Sequence, residues 1–483
     1  MFWYHYLLIA IGVLLVAFLS VIIIRTLTFK PKAQQYQKID ATSFDQDKAI
    51  KNLQELVKCK TISCEDKSLE DDKEFDKLVA LLPNLYKNVY SSCELKTFDG
   101  RALLFRWKGK TDKNPTVLMS HYDVVSVAED DWKEPPFDGV IKDGCLWGRG
   151  TLDTKVTFNS ALFAVDTLIE KGFAPESDVY LAFSGGEEVN GVGAINIVNY
   201  FKENGIEPSL VLDEGGAVVE NVFPGVKKPC ALVGIAEKGM MNVKYTVKSQ
   251  GGHSSAPKPN SPIVTLSKTC IKLESSPFKA HLSQPVKEMF DTLGRHSNFV
   301  YRMIFANLWL TKGLLDALAK KSGGEMNALL RTTLAFTQAQ GSKGVNVMPP
   351  KASITTNMRL NPLDTVDKSH EYLVKTVDND KVDVKVLQSV NPSRISRTDV
   401  DGYNKVATAI ANTWGDEVII SPYLMVQCSD SRHYGVISDR VYRFSSMALS
   451  AEERATIHGN NERIRLDSII ESVKFYLALI KQC

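Results

Sequence analysis

The stretch TVLMSHYD (residues 116–123) is the first indication of the fold class. Its first five residues form a short, mostly apolar run typical of a buried strand, and a histidine and an aspartate follow almost at once. Residues 179–184 and 210–212 repeat this apolar character, with helical patterns between them at residues 158–171 and 192–201. Buried strands that alternate with helices predict an α/β fold, a mostly parallel sheet with helices on both faces.

Farther along the chain, from about residue 236, the pattern changes. Residues 242–247 and 352–360 predict half-buried antiparallel strands, and a long helical stretch between them includes residues 285–293 and 299–319. Near residue 394 the α/β pattern of the first part returns, with a helix predicted at 406–414. We therefore predict a catalytic domain in two parts, 45–233 and 394–483, interrupted by an inserted α+β lid of the dimerisation type at 234–393.

The N-terminal segment differs from both. Residues 6–24 are apolar except Ser20 and would reach roughly 28 Å as a helix, enough to cross the hydrocarbon core of a bilayer. We predict an uncleaved single-pass membrane anchor at residues 1–29 and a polar linker at 30–44. A cleaved signal peptide is the alternative, but no Lys or Arg precedes the run and no clear cleavage site follows it. The basic residues after the run favour a cytoplasmic catalytic domain, and the lack of glycosylation acceptors fits that side and a bacterial exterior equally.

Composition excludes some classes of function. The chain has 483 residues, 44% hydrophobic and 24% charged, which is ordinary for a water-soluble fold of two or three domains. A net charge of +2 gives no reason to expect nucleic acid as a partner. Eight cysteines are scattered, and the nearest pair, Cys59 and Cys64, lacks the further ligands of a structural zinc site.

Acidic residues and histidines cluster at five places, and three of the clusters directly follow predicted strands. The clusters are SHYD (120–123), WGRGTLD (147–153), SGGEE (184–188), LDEGG (212–216) and IHGNNER (457–463). Ligands of open parallel sheets bind at the carboxyl ends of strands, so these side chains are expected to converge there. Mixed nitrogen and carboxylate donors without thiolate are typical of catalytic zinc, cobalt or manganese.

Each cluster alone is weak, because an isolated histidine or glutamate pair is usually an ordinary surface feature. Their order and their placement at strand ends together favour a site for two metal ions around a shared carboxylate. The five candidate ligands are His121, Asp153, Glu188, Asp213 and His458.

From about residue 45 onward the sequence resembles the co-catalytic zinc exopeptidases, which include carboxypeptidase S, aminoacylase, glutamate carboxypeptidase and succinyl-diaminopimelate desuccinylase. It is most similar to the branch of carboxypeptidase S and N-acyl-amino-acid hydrolases. Four stretches carry that similarity: WGRGTLD (147–153), GGHSSAP (251–257), SDSRHY (429–434) and HGNNERI (458–464).

The resemblance implies a role for each candidate. Asp153 would bridge two zinc ions, for which cobalt or manganese could substitute; His121 and Asp213 would complete one site, and Glu188 and His458 the other. Glu187 would be the general base, Asp123 would orient His121, and His253 of the lid would reach the substrate oxyanion, from the neighbouring subunit in dimeric members. The chain departs from many relatives at Thr154 and Gly186, and the resemblance implies a cis peptide at the 153–154 junction.

We therefore predict a hydrolase for small substrates, peptides or N-acyl amino acids, cleaving the amide bond beside a free carboxylate. Arg359 is the first candidate to bind that carboxylate, followed by Asn346 and Arg432. A homodimer through the insert is also expected.

Three alternatives stay open. A di-metal aminopeptidase would recognise a free amine and would not need an insert of this size. The same site could also join fatty acids to amino acids in the reverse direction. A non-catalytic, membrane-tethered binding protein predicts a missing ligand or base, and none is missing from the sequence.

Overall fold

The computed structural model describes residues 3–221 and 223–483; Met1 and Phe2, the first residues of the predicted anchor, lie outside that description. The helices are α1 Trp3–Thr28, α2 Gln46–Val57, α3 Asp72–Leu85, α4 Lys87–Ser92, α5 Lys155–Glu170, α6 Gly193–Glu203, α7 Pro262–Ser275, α8 Gln284–His296, α9 Phe299–Ala306, α10 Leu308–Ser322, α11 Gly324–Leu330, α12 Val366–Val377, α13 Asp401–Trp414, α14 Ala451–Thr456 and α15 Leu466–Ile480. The strands are β1 Glu94–Phe98, β2 Ala102–Trp107, β3 Thr111–His121, β4 Ile141–Lys142, β5 Cys145–Trp147, β6 Ser177–Ser184, β7 Leu210–Asp213, β8 Val218–Val219, β9 Cys230–Glu237, β10 Gly239–Lys248, β11 Gly252–His253, β12 Thr333–Gln340, β13 Val347–Met348, β14 Lys351–Leu360, β15 Val382–Val390, β16 Ile419–Met425, β17 Val441–Arg443, β18 Ala448–Leu449 and β19 Arg463–Arg465.

A large mixed sheet forms the frame of the molecule. Its order is β1–β2–β6–β3–β7–β17–β9–β8–β18, and β16 also pairs with β9. The central pairs β6–β3, β3–β7 and β7–β17 are parallel, whereas β1–β2 and β2–β6 are antiparallel. The prediction of an α/β fold with a mostly parallel central sheet is confirmed.

Helices cover both faces of this sheet, which explains why the central parts of its inner strands are almost continuously apolar. Residues 155–168 of α5 are all buried, because α5 lies between the sheet and α2, α4 and α15. On the opposite face, Ile197, Val198 and Phe201 of α6 pack against β2, β3 and β6. Burial on both faces removes the polar alternation that a half-exposed strand would need.

A second, antiparallel sheet lies in the predicted insert, in the order β12–β14–β10–β15. Helices α7 and α12 pack on one of its faces around a separate apolar core that includes Val243, Leu266 and Leu373. Lys238 is the single residue between β9 of the large sheet and β10, the first strand of the second sheet.

Helices α8 to α11 belong to the same stretch of sequence but pack elsewhere. Met289, Phe290 and Leu293 of α8 and Phe305 of α9 share a core with Tyr423 of β16 on the large sheet. The predicted helical stretch 299–319 is divided at Asn307, whose side-chain amide donates to the Met303 carbonyl.

Helix α1 is, within the described part of the chain, the helix long and apolar enough to cross a membrane, a criterion that a signal sequence also meets. The predicted linker 30–44 forms no helix or strand. Its Ile39 backbone N–H donates to Asn412 of α13, so the segment runs along the body of the protein.

Candidate metal centre

Strand β3 ends at His121, and β6 ends beside it at Ser184, the residue with which His121 is paired in register. His121 is only 2% exposed. Its Nδ1 lies 3.0 Å from the carbonyl oxygen of Asp123. Because a carbonyl only accepts hydrogen bonds, Nδ1 carries the proton, and in the neutral ring Nε2 presents a lone pair.

The buried Asp123 side chain fixes the turn that carries the glutamate pair. Its carboxylate accepts hydrogen bonds from the backbone N–H groups of Glu187 at 3.1 Å and Glu188 at 3.2 Å, and from the Ser63 hydroxyl at 2.6 Å. The same carboxylate lies 3.4 Å from His121 Nδ1, farther than the Asp123 carbonyl. Asp123 therefore contacts His121 mainly through its backbone, while its side chain positions Glu187 and Glu188.

Asp153 lies between two histidines. Its Oδ1 is 3.1 Å from His121 Nε2, and its Oδ2 is 3.1 Å from His458 Nε2. Glu188 Oε1 is also 3.1 Å from His458 Nε2. The peptide bond between Asp153 and Thr154 is cis, as the resemblance implied.

The loop that presents Asp153 is organised by Glu462, a fully buried carboxylate. Glu462 accepts hydrogen bonds from the backbone N–H groups of Gly150, Leu152 and Asp153 at 3.1, 2.7 and 3.3 Å. The Arg149 guanidinium donates to the same carboxylate at 2.6 Å and to the Gly459 carbonyl at 2.9 Å. One ion pair thus joins the loop of Asp153 to the loop of His458.

Asp213 ends strand β7 and is 2% exposed. Its carboxylate accepts from the backbone N–H groups of Glu214 and Ser431, each at 2.9 Å. The Ser431 hydroxyl in turn donates to Glu237, which forms a buried ion pair with Arg443 at 2.6 Å. Among the described residues, no direct contact joins Asp213 to the other four candidate ligands.

The charges of the cluster depend on one another. Burial alone would raise the pKa of Asp153, but hydrogen bonds from His121 and His458 hold it well below its usual range. Hydrogen bonds from Asp153 and Glu188 raise the pKa of His458 to about 10. Burial raises the pKa of Glu187 far above its usual value, and the neighbouring charges of Asp430, Glu214 and Glu188 raise it further, opposed by His121.

This arrangement fits positively charged ions. Donor atoms of His121, Asp153 and Glu188 lie within 4.8 Å of one another, and His458 contacts two of the three residues. A histidine lone pair that faces a carboxylate oxygen at hydrogen-bond distance needs a proton or a metal ion between them. Nitrogen and carboxylate donors without thiolate suit zinc, cobalt or manganese. The side chain of His458 is 51% exposed, so the cluster opens to solvent on that side.

His253 and Asn346 lie together on the lid, and among the described residues neither forms a hydrogen bond or ion pair with this cluster. They stand on neighbouring segments: β11 ends at His253, which pairs with Val347 of β13, and the Ser254 N–H donates to the Asn346 carbonyl at 3.1 Å. The Ser255 backbone N–H donates to His253 Nδ1, so the neutral ring carries its proton on Nε2. Both side chains are exposed.

Arg359 and Arg432 approach each other around Cys428. Arg359 lies on β14, and its Nη1 is 3.4 Å from the Cys428 sulfur. Arg432 donates to Asn190 at 2.8 Å, in the loop that follows the glutamate pair. The charges of Glu237, Asp430 and Glu187 raise the pKa of Arg432 against the effect of burial. Arg432 thus lies near the candidate base, and Arg359 lies on the lid side of the same loop.

Several residues of this region were not singled out from the sequence. Glu462 and Asp430 stand inside stretches used for the resemblance, but only their three-dimensional contacts reveal them. Burial raises the pKa of Asp430 to about 6, and its carboxylate accepts a 2.5 Å hydrogen bond from Ser184. Glu214 directly follows Asp213, and this adjacency is the sequence feature that could have identified it as part of the site.

Comparisons with known proteins agree with this geometry. The sequence pattern of peptidase family M20/M25/M40 matches residues 117–482. The chain is 33% identical to probable carboxypeptidase S-like 2 of Dictyostelium discoideum over 97% of its length and 92% of the relative's. It is 32% identical to the N-fatty-acyl-amino acid synthase/hydrolase PM20D1 of Xenopus tropicalis, over 97% of this chain and 93% of that one.

Solved structures share the fold. The M20 family metallo-carboxypeptidase Sso-CP2 from Sulfolobus solfataricus superposes with a TM-score of 0.65 at 19% identity, over 90% of this chain and 98% of its own. The YXEP protein of Bacillus subtilis, described as a dinuclear metal binding peptidase, superposes with a TM-score of 0.55 at 10% identity, over 90% and 97%.

Proposed function

The chain belongs to peptidase family M20/M25/M40, and on that premise we propose that it hydrolyses the amide bond of N-acyl amino acids or peptides beside a free carboxylate. The observation that carries the proposal is the Asp153 carboxylate, with one oxygen on His121 and the other on His458. In a two-metal hydrolase, the bridging carboxylate directs one oxygen toward each metal site.

Two divalent ions, zinc in our proposal and cobalt or manganese as substitutes, would be held by His121 and Asp213 on one side and by Glu188 and His458 on the other, with Asp153 between them. When bound, they would polarise the scissile carbonyl and make a water molecule at the site more acidic.

The protein's own groups perform the proton transfers. Glu187 takes a proton from the attacking water and delivers it to the leaving amine. Its backbone N–H donates to Asp123, which holds the turn that carries it. Burial, and then the acidic neighbours, raise its pKa, and a carboxylate with a raised pKa is a stronger base. His253, with its proton on Nε2, can donate to the carbonyl oxygen when the lid brings it near.

A substrate carboxylate would bind to the cationic side chains around Cys428. We propose Arg359 as its main partner, because a guanidinium binds a carboxylate through two parallel hydrogen bonds. Arg432 and Asn346 are further candidates. An aminopeptidase would instead need an acidic group for the substrate amine. The names of the two relatives, a carboxypeptidase S-like protein and an N-fatty-acyl-amino acid synthase/hydrolase, support the carboxylate-directed reaction. Because the second name includes synthase, the proposal also covers the reverse reaction, which joins a fatty acid to an amino acid.

Helix α1 is proposed as a single-pass membrane anchor that remains on the protein. Its length and composition support this assignment. Two contacts support it further, because Arg25 Nη2 donates to the Ala306 carbonyl at 2.9 Å and Asn307 Nδ2 donates to Thr26 at 3.3 Å. Removal of the segment would break both contacts.

The test uses the full chain in detergent, loaded with zinc or cobalt. N-acyl amino acids, dipeptides and aminoacyl-nitroanilides are offered as substrates, and we expect turnover of the first two classes only. Glu187→Gln should keep the metal but lose about 10²–10⁴-fold in kcat, because the proton acceptor is gone. Glu203→Gln, an exposed glutamate of α6, is the matched control. Full activity of Glu187→Gln, or preference for the nitroanilides, would contradict the proposal.

A further inference from the structure

Helices α9 and α10 expose an unusual amount of apolar surface. Phe299 and Val300 of α9 and Trp309 of α10 are each more than half exposed. Along α10 the exposed side chains continue at helical spacing with Leu310, Leu314 and Leu318. The opposite side of α10 supplies Leu315 and Ala319 to the core. A helix that is apolar on its outer side as well as its inner side needs a second apolar partner.

This surface is continuous with the proposed anchor. Phe18, inside the apolar run of α1, meets the Trp309 ring edge to face, with ring centroids 6.0 Å apart. Phe18 lies six residues before Ile24, or about 9 Å along the helix axis at 1.5 Å per residue. If α1 crosses a bilayer with Ile24 at the edge of the hydrocarbon core, Phe18 holds Trp309 inside that core, below the head groups.

Basic groups surround the base of α1. A cavity of about 450 Å³ between α1 and α8–α10 is lined by Arg25, Lys287 and Arg295, with a single acidic residue, Asp291. Lys320 and Lys321 occupy the last turn of α10. Cations next to an exposed apolar stripe match the anionic head groups and acyl chains of a phospholipid surface.

We propose that the exposed face of α10, from Trp309 to Leu318, inserts into the bilayer beside α1 and forms a second membrane contact of the enzyme. The inference rests on the proposed anchor, since α1 determines the depth of Trp309. Because α8 and α9 pack on β16 of the large sheet, two contacts instead of one would fix the catalytic domain at a defined orientation to the membrane.

The experiment places the full chain in phosphatidylcholine vesicles with and without phosphatidylserine. A phosphatidylcholine that carries a diazirine in its acyl chain labels residues exposed to hydrocarbon, and mass spectrometry locates the label. We expect label in α1 and in residues 308–322, increased by the anionic lipid. Leu314→Glu with Leu318→Glu should lower the label in 308–322 at least several-fold and leave that in α1 unchanged. Val374→Glu, at an exposed apolar position of α12, is the matched control.

The distribution of label tests the second membrane contact separately from the anchor. Label in α1 with none in 308–322 overturns the second contact and leaves the anchor intact. Absence of label from both segments overturns the anchor as well. If residues 308–322 stay unlabelled and a chemical cross-linker captures dimers of the chain, a second copy covers this face. That result also overturns the proposal.

Discussion

One oxygen of the Asp153 carboxylate contacts His121 and the other contacts His458. The position of that carboxylate depends on Glu462. The backbone N–H groups of Gly150, Leu152 and Asp153 point at Glu462, so the loop folds around a carboxylate that holds the backbone of Asp153 and leaves its side chain free for the cluster. Glu462 is therefore a positioning residue. Partners that orient metal ligands typically contribute a factor of about 10–100 to metal affinity or activity.

We expect Glu462→Gln to lower zinc affinity tenfold to a hundredfold, because the buried Arg149 loses its partner and the Asp153 loop loses its organising charge. Zinc affinity is measured by competition with a chelator, on protein shown to be folded by its thermal transition. Glu452→Gln removes an ion pair of the same kind at a residue whose side chain is 80% exposed, and it should change neither quantity. Unchanged zinc affinity in folded Glu462→Gln would contradict the role.

At the scale of elements, the passage from β9 to β10 joins the two sheets. Lys238 stands at this passage and is 1% exposed. Its ammonium group donates to the carbonyls of Ala328 and Arg331, at 2.7 and 2.8 Å, which ties the passage to the end of α11. Burial, assisted by the charge of Arg359, lowers the pKa of Lys238 from 10.5 to about 7.

The lowered pKa of Lys238 predicts how stability depends on pH. Between pH 7 and 10.5 the unfolded chain holds a proton that the folded chain has released, so the free energy of unfolding rises with pH. Lys238→Met should remove this rise, and the difference between the two proteins should change by several kcal/mol across that range. Thermal unfolding at successive pH values checks this. Lys248→Met, at the exposed end of β10, should retain the wild-type slope; equal slopes for all three proteins would refute the assignment.

The same scale shows what sequence patterns can and cannot predict. The strands that end at His121, Ser184 and Asp213 were predictable, because continuous apolar runs mark strands buried on both faces. The role of Glu462 was not, since its partners lie about 310 positions earlier in the chain. The placement of α8–α11 was equally hidden, because an amphipathic pattern shows that a helix has an apolar side but not which sheet covers it.

At the scale of the whole molecule, no hydrogen bond or ion pair among the described residues joins His253 or Asn346 to the metal cluster. His253 and Asn346 share one edge of the lid, while His121 and Asp213 end strands of the large sheet and Glu187 follows another. Two arrangements could bring His253 to the substrate: movement of the lid, or a second subunit whose His253 reaches across. The second explanation agrees with the homodimer that we propose through the insert.

Mixing two inactive variants distinguishes these explanations. If His253 acts on the neighbouring subunit, re-associated Glu187→Gln and His253→Ala chains form mixed dimers with one complete site. Random pairing would then restore about a quarter of the wild-type rate, whereas action within one chain restores none. Hydrolysis of an N-acyl amino acid, measured before and after mixing, checks this. Mixing Glu187→Gln with Asp153→Asn supplies a control that should remain low, because Glu187 and Asp153 belong to the same site.

The ion pair between Arg149 and Glu462 has a consequence for biosynthesis. Translation delivers the hydrophobic N-terminal helix first and residues 458 to 462 only after the whole lid has been made. Until they emerge from the ribosome, the nascent polypeptide lacks both His458 and the carboxylate that shapes the Asp153 loop. The metal site can therefore be completed only at the end of synthesis, after the strands of both sheets have been made.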